Sequence, residues 1–174
     1  MTTHTTHTRR LWTSADGVKK FFAPEARIDP KIGGRYQIIF LPSKDPEGES
    51  HGTKGARTLD LVPNQKLVFL VDHICRRRFA REKRAALCPP SERNLTPLPT
   101  WVELSFEPVA DQPNQTHLKF AHYEFRDGEK WEQSYRWFRR AWKGVLDQLS
   151  EYCQKQKSNR ISNGPRSMVD FNRV

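Results

Sequence analysis

Cysteine is scarce in this 174-residue chain. Cys75, Cys88 and Cys153 are the only three, and none stands in a CxxC spacing. That excludes a disulfide framework or a cysteine-based zinc site, and it reads as a reducing, cytoplasmic setting. Long apolar runs are missing too. No stretch of 18 apolar residues occurs, so no helix crossing a membrane is expected. The first ten residues, MTTHTTHTRR, have no apolar h-region of the kind a secretory signal needs. The usual signatures of chemistry are absent as well. There is no G-x-S-x-G, no H-E-x-x-H, no phosphate-binding Gly-rich loop and no dinucleotide fingerprint. The histidines His51, His73, His117 and His122 are scattered, and His4 and His7 lie in a polar Thr/His segment. No catalytic residue, metal site or cofactor is therefore assigned.

What is present in excess is positive charge, a net +10. Its distribution matters more than its size. Residues 73–99 carry +5, residues 154–174 carry +4 and residues 1–10 carry +2, which leaves the remaining body at −1. A basic balance confined to appendages reads as solvated segments. It offers unspecific, salt-sensitive attraction to acidic surfaces and no specific nucleic-acid site.

Hydrophobic periodicity supplies the elements. RRLWTSADGVKKFF reads as two short helical turns, with Thr8 and Ser14 as caps and Gly17 as a weak point, and Pro24 ends them. YQIIF places Tyr36, Ile38 and Phe40 on one face of a strand, and LPSKDPEGES is a loop. A strand is expected around 51–61, then a VPNQ turn, then LVFLV with Leu67, Phe69 and Val71 on one side. HICRRRFAREKRAAL has helical propensity, and the proline-rich run after it must be extended. WVELSF and THLKFAHYEF alternate, directing Val102, Leu104 and Phe106, and Leu118, Phe120 and His122, to one face across an ADQPNQ turn. One long helix, about Glu129 to Cys153, carries Trp131, Tyr135, Phe138, Trp142, Val145, Leu149 and Tyr152 in alternating steps of four and three, a single apolar stripe. These residues predict an α+β domain over 11–153, with tails at 1–10 and 154–174 and a basic insertion near 73–87.

Short helices, a strand meander and one long aromatic helix, in that order, resemble the helix-grip fold of the START-like (SRPBCC) superfamily. More narrowly, the chain resembles the family named for the C-terminal region of the activator of the heat-shock protein 90 ATPase. The stretches that carry the resemblance are LWTSADGVKKFFAPEARIDPKIGGRYQIIF, HGTKGARTLDLVPNQKLVF, TWVELSFEPV and GEKWEQSYRWFRRAWKGVLDQL. It covers about residues 11–70 and 88–150. The combination of DPKIGG, LDLVPNQKL and RAWKGVLDQL is its specific part. The resemblance implies a curved antiparallel sheet wrapped around the long C-terminal helix, and in that setting Gly33 and Gly34 are expected to shape the sheet, not to touch a ligand. The family's first apolar strand has no counterpart in MTTHTTHT, and residues 72–87 stand as an insertion.

The resemblance also implies an apolar cavity between sheet and helix, suited to a small hydrophobic ligand. Tyr36, Phe69, Phe106, Phe120, Trp131, Tyr135, Phe138 and Trp142 are the candidate lining, with Tyr36 and Tyr135 as polar tips. The same rings would equally fill a solid core. Glu25, Asp29, Glu129 and Glu132 are expected to be solvated or capping residues. The alternative function that the resemblance implies is a co-chaperone-like domain with a chaperone or other protein as partner.

Overall fold

Ser14 separates the first two helices, and its hydroxyl explains how. The oxygen donates to the Arg10 carbonyl at 2.8 Å and accepts from the Gly17 N–H at 3.1 Å. One side chain thus ends α1, Thr3–Thr13, and caps α2, Ala15–Val18. The turn is tight enough that Gly17 meets the backbone of α1. A Cβ built on Gly17 would lie 2.4 Å from the Arg10 carbonyl oxygen and 2.6 Å from Leu11 Cα. Gly17 is therefore a close-approach residue, not the weak point expected from helix propensity. α1 also begins earlier than expected, at Thr3, so Thr8 lies inside the helix and does not cap it. The computed structural model describes residues 3–49, 51–71, 100–110 and 112–162. The helical propensity at 73–87, the proline-rich run after it, the basic insertion and the chain beyond Ser162 lie outside the described residues.

Among the described residues six strands follow: β1 Glu25–Ile28, β2 Tyr36–Ile39, β3 Thr58–Val62, β4 Lys66–Val71, β5 Thr100–Val109 and β6 Gln112–Tyr123. β1 and β2 form an antiparallel pair, and β3-β4-β5-β6 form a four-stranded antiparallel sheet in sequence order. β1 was not foreseen, because EARI sits between Pro24 and Asp29-Pro30 and is too short to show a period. Single bridges, Arg35 with Arg57 and Ile39 with Gly52, stitch β2 to the chain that leads into β3. The strand expected from about residue 51 is thus a ladder only from Thr58. Before it, Thr53 replaces regular pairing, its hydroxyl accepting from the Ile38 N–H at 2.9 Å.

Gly33 and Gly34 close the β1–β2 connection. Gly33 has φ +75°, and a Cβ on Gly34 would lie 2.3 Å from the Asp29 carbonyl oxygen. Only glycine lets this loop seat against Thr58, which accepts from the Gly33 N–H at 2.8 Å and donates its own N–H to the Gly34 carbonyl at 2.9 Å. The two residues are architectural, as the curved sheet requires.

The remaining strands follow their alternation. Leu67 pairs with Leu104 and Phe69 with Val102 across β4 and β5, and Leu104 pairs with Phe120 across β5 and β6. Leu67, Phe69, Val102, Leu104 and Phe106 are buried. β6 starts at Gln112, so the ADQPNQ turn is shorter than expected, and Pro113 lies in an edge strand, where a missing N–H is tolerated.

α3, Glu129–Ser162, runs nine residues past the expected end. Its stripe of Trp131, Phe138, Trp142 and Leu149 is buried. Trp142 reaches Phe120 of β6 at 4.9 Å, Phe22 at 5.5 Å and Phe69 of β4 at 6.5 Å between ring centroids. The helix therefore packs on the inner side of the sheet, giving the α+β helix-grip architecture. α1 packs beside β5 and β6, and among the described residues no strand precedes it.

Candidate functional site

The inner face of β2 begins with Tyr36, which is fully buried and stacks on Phe69 at 4.1 Å. Its hydroxyl donates to the Trp12 carbonyl at 2.9 Å, tying β2 to the end of α1. Burial drives the Tyr36 phenol pKa far above the usual tyrosine range. On the other side of the core, the Trp142 indole N–H donates to His122 Nδ1 at 3.1 Å. An indole nitrogen only donates, so Nδ1 is the lone-pair nitrogen of His122. The proton then sits on Nε2, which donates to Thr100 Oγ1 at 3.0 Å, and the Thr100 hydroxyl in turn donates to the Val71 carbonyl at 3.4 Å. His122 is a hydrogen-bonded residue at the edge of the core.

Between these two anchors the packing leaves a recess of about 380 Å³. One wall is Tyr36, Ile38 and Phe40 from β2 and its end, with Leu41, His51 and Thr53 from the loop beyond. A second is Phe69, Leu70 and Val71 of β4. The third is Trp137, Phe138, Ala141, Trp142 and Val145 of α3, and Phe22 completes the ring. Nearly all of this surface is hydrocarbon, which suits an apolar molecule and offers little hold to a charged one.

Four of the eight expected residues, Tyr36, Phe69, Phe138 and Trp142, meet on these walls. Phe106 is buried in the core away from the recess, and Phe120 touches it only through Trp142. Trp131 clusters with Phe125 at the start of α3, at 6.4 Å. Tyr135 leans on Phe125 at 5.4 Å but is 42% exposed. Neither expected polar tip serves. Tyr135 points elsewhere, and the Tyr36 hydroxyl is held by Trp12.

Sequence reasoning missed Phe22, Phe40, Leu41, His51, Trp137, Ala141 and Val145 as a set. Trp137 and Ala141 stand four apart beside the stripe, in a row that continues to its own member Val145. An aromatic residue beside the stripe, Trp137 next to Phe138, was the available signal.

The loop that carries Leu41 and His51 is fastened at both ends. Asp45 accepts the Glu49 N–H at 3.0 Å and the His51 N–H at 2.6 Å. Glu47 takes both terminal nitrogens of Arg27, at 2.7 and 2.9 Å. That paired bond, more than the plain attraction of the charges, holds the Glu47 carboxyl below its usual range. The other acidic residues act locally. Glu25 and Asp29 lie beside Lys19 and Lys31, and Glu132 bonds Arg136 at 2.8 Å. Among the described residues, no group of three or more His, Cys, Asp or Glu side chains comes together to hold a metal ion.

Two solved structures share the fold. Protein MLL2253 from Mesorhizobium loti is similar with a TM-score of 0.59 and 16% identity, over 89% of this chain and 92% of that one. A protein of unknown function from Staphylococcus aureus, SA2116, is similar with a TM-score of 0.55 and 13% identity, over 90% of each chain. No curated protein matches. The sequence profile described as "Activator of Hsp90 ATPase homolog 1-like protein" matches residues 10–154, and the chain belongs to that family.

Proposed function

We propose that this chain, through one domain over about residues 11–153, binds a small hydrophobic molecule in the recess between the sheet and α3 and performs no chemistry on it. The observation that supports this reading is the recess itself, about 380 Å³ walled by aromatic and aliphatic side chains. That volume falls within the usual span of small-molecule sites, roughly 300–1,000 Å³. A core that served packing alone would be expected to close such a space, because interiors pack to about the density of organic crystals. Rings do close up on both sides of it, Tyr36 on Phe69 and Phe120 on Trp142.

The test is a titration with 1-anilinonaphthalene-8-sulfonate, followed by competition with fatty acids and aromatic metabolites. Saturable one-to-one binding is expected. Ala141→Phe, which places a ring in the recess, should abolish it without lowering the melting temperature. Absence of saturable binding, or binding indifferent to Ala141→Phe, ends the reading. The co-chaperone-like alternative rests on the family description. Failure to stimulate a chaperone ATPase would remove it.

A further inference from the structure

The outer face of α3 is cationic over two turns. Arg136, Arg139, Arg140 and Lys143 are all exposed, and each stands three or four residues from its neighbours, so the four share one patch of helix surface. Like charges at that spacing repel and weaken a helix. Only the two ends of the patch are relieved. Arg136 bonds Glu132 at 2.8 Å and Lys143 bonds Asp147 at 2.6 Å, each a carboxylate four residues away. Among the described residues, Arg139 and Arg140 pair with no carboxylate. The same two turns form the rim of the recess. Ala141 is a wall residue and is exposed, and Trp137 and Val145 are wall residues and half-buried. From the loop after β2, the wall residue Leu41 is 37% exposed. Side chains that line a space and also reach solvent mark its mouth. Four cations with two free guanidinium groups therefore flank an open apolar mouth.

We infer that this face of α3 docks on an anionic lipid surface, with Leu41 and Trp137 at the edge of the contact. The charge is complementary, because the guanidinium fork of arginine matches the oxygens of a phosphate or carboxylate headgroup. A bilayer also offers hydrocarbon just below those headgroups to an exposed apolar rim. Among the described residues no helix is long and apolar enough to cross a membrane, so the contact is peripheral. The inference goes beyond the ligand-site reading and stands or falls apart from it, since vesicle binding and probe binding are separate measurements.

The test is co-sedimentation of the whole chain with vesicles at low salt, either phosphatidylcholine alone or phosphatidylcholine with phosphatidylserine. Binding is expected only where phosphatidylserine is present. Arg139→Gln/Arg140→Gln should weaken it about fivefold for each cation removed, about 25-fold together. Arg139→Lys/Arg140→Lys, which keeps both charges, should retain most of it. Because the chain is basic elsewhere, a control removes equal charge from residues 73–99, as Arg76→Gln/Arg77→Gln, and should cost less than about threefold. The melting temperature of Arg139→Gln/Arg140→Gln should equal or exceed that of the wild type, since like-charge repulsion is relieved. No binding to the phosphatidylserine vesicles would overturn the inference. So would an equal loss in the control, which would leave net charge alone as the cause. Capture on polyglutamate that depends on Arg139 and Arg140, with vesicle binding indifferent to them, would assign the face to an acidic protein and overturn the lipid reading.

Discussion

Replacing Gly17 with alanine adds one methyl group at the point where α2 touches α1. Helix propensity alone predicts a gain, because Ala is favoured over Gly inside a helix by about 1 kcal/mol. The structure predicts the opposite sign. The new carbon would lie 2.4, 2.6 and 2.7 Å from Arg10 O, Leu11 Cα and Leu11 O, where ordinary contact begins at 3.4 Å. All three are backbone atoms, so no side chain can rotate away, and α1 must shift by about 1 Å. Leu11 and Trp12 ride on that turn, both are buried, and the Trp12 carbonyl holds the Tyr36 hydroxyl. Overpacking of this kind costs about 1–3 kcal/mol. With the displaced core contacts added and the propensity gain subtracted, a net loss of about 2 kcal/mol is expected. In a chain of this size that lowers the melting temperature by about 4–8 °C. Urea unfolding followed by tryptophan emission would measure it. A Gly17→Ala midpoint equal to or above that of the wild type would refute the close-approach argument.

Gly144 provides the contrasting case. A Cβ there meets nothing within 4 Å, so Gly144→Ala should raise stability by about 0.5–1 kcal/mol in the same assay, and a loss would mean that the helix packs differently. Tyr36→Phe should cost about 1 kcal/mol at neutral pH through the lost bond to Trp12. Because burial raises the Tyr36 pKa above its ordinary 10.0, the stabilisation is complete below that pH and is lost as pH rises beyond it. The wild type should therefore weaken faster than the variant in urea titrations above about pH 10, and equal alkaline slopes would count against the burial of the phenol. His122→Leu orphans the Trp142 N–H and should cost about 2 kcal/mol. Combined with Trp142→Phe, the total loss should be about 1 kcal/mol smaller than the sum of the two single losses, and strict additivity would show that the two side chains are not coupled.

Much of the architecture was legible in the sequence, and the physical reason lies in particular residues. Leu67, Phe69, Val102, Leu104 and Phe106 alternate strictly, and the stripe from Trp131 to Leu149 keeps helical spacing, so β4, β5, β6 and α3 could be placed. The missed features have other causes. β1 is four residues long and carries no period. The Thr/His-rich start of α1 and the polar end of α3 have no apolar stripe to announce them. Gly17 looks like a helix breaker until its neighbours are known. The recess was half legible. Tyr36, Phe69, Phe138 and Trp142 sit where periodicity puts them. Trp137, Ala141 and His51 required knowledge of which flank of α3 stands over β2, and spacing does not encode that.

Hydrophobic attraction has no direction, so burial of a stripe leaves a helix some latitude in azimuth. The bond from Trp142 to His122 removes it. One residue of slippage would swing every side chain of α3 by about 100° and pull the indole nitrogen off its acceptor. The angular setting that turns Trp137, Ala141 and Val145 toward the recess is thus dictated from β6, a strand that contributes nothing to the recess walls. The shape of that space is controlled at a distance, and substitutions at His122 would reshape it without touching it.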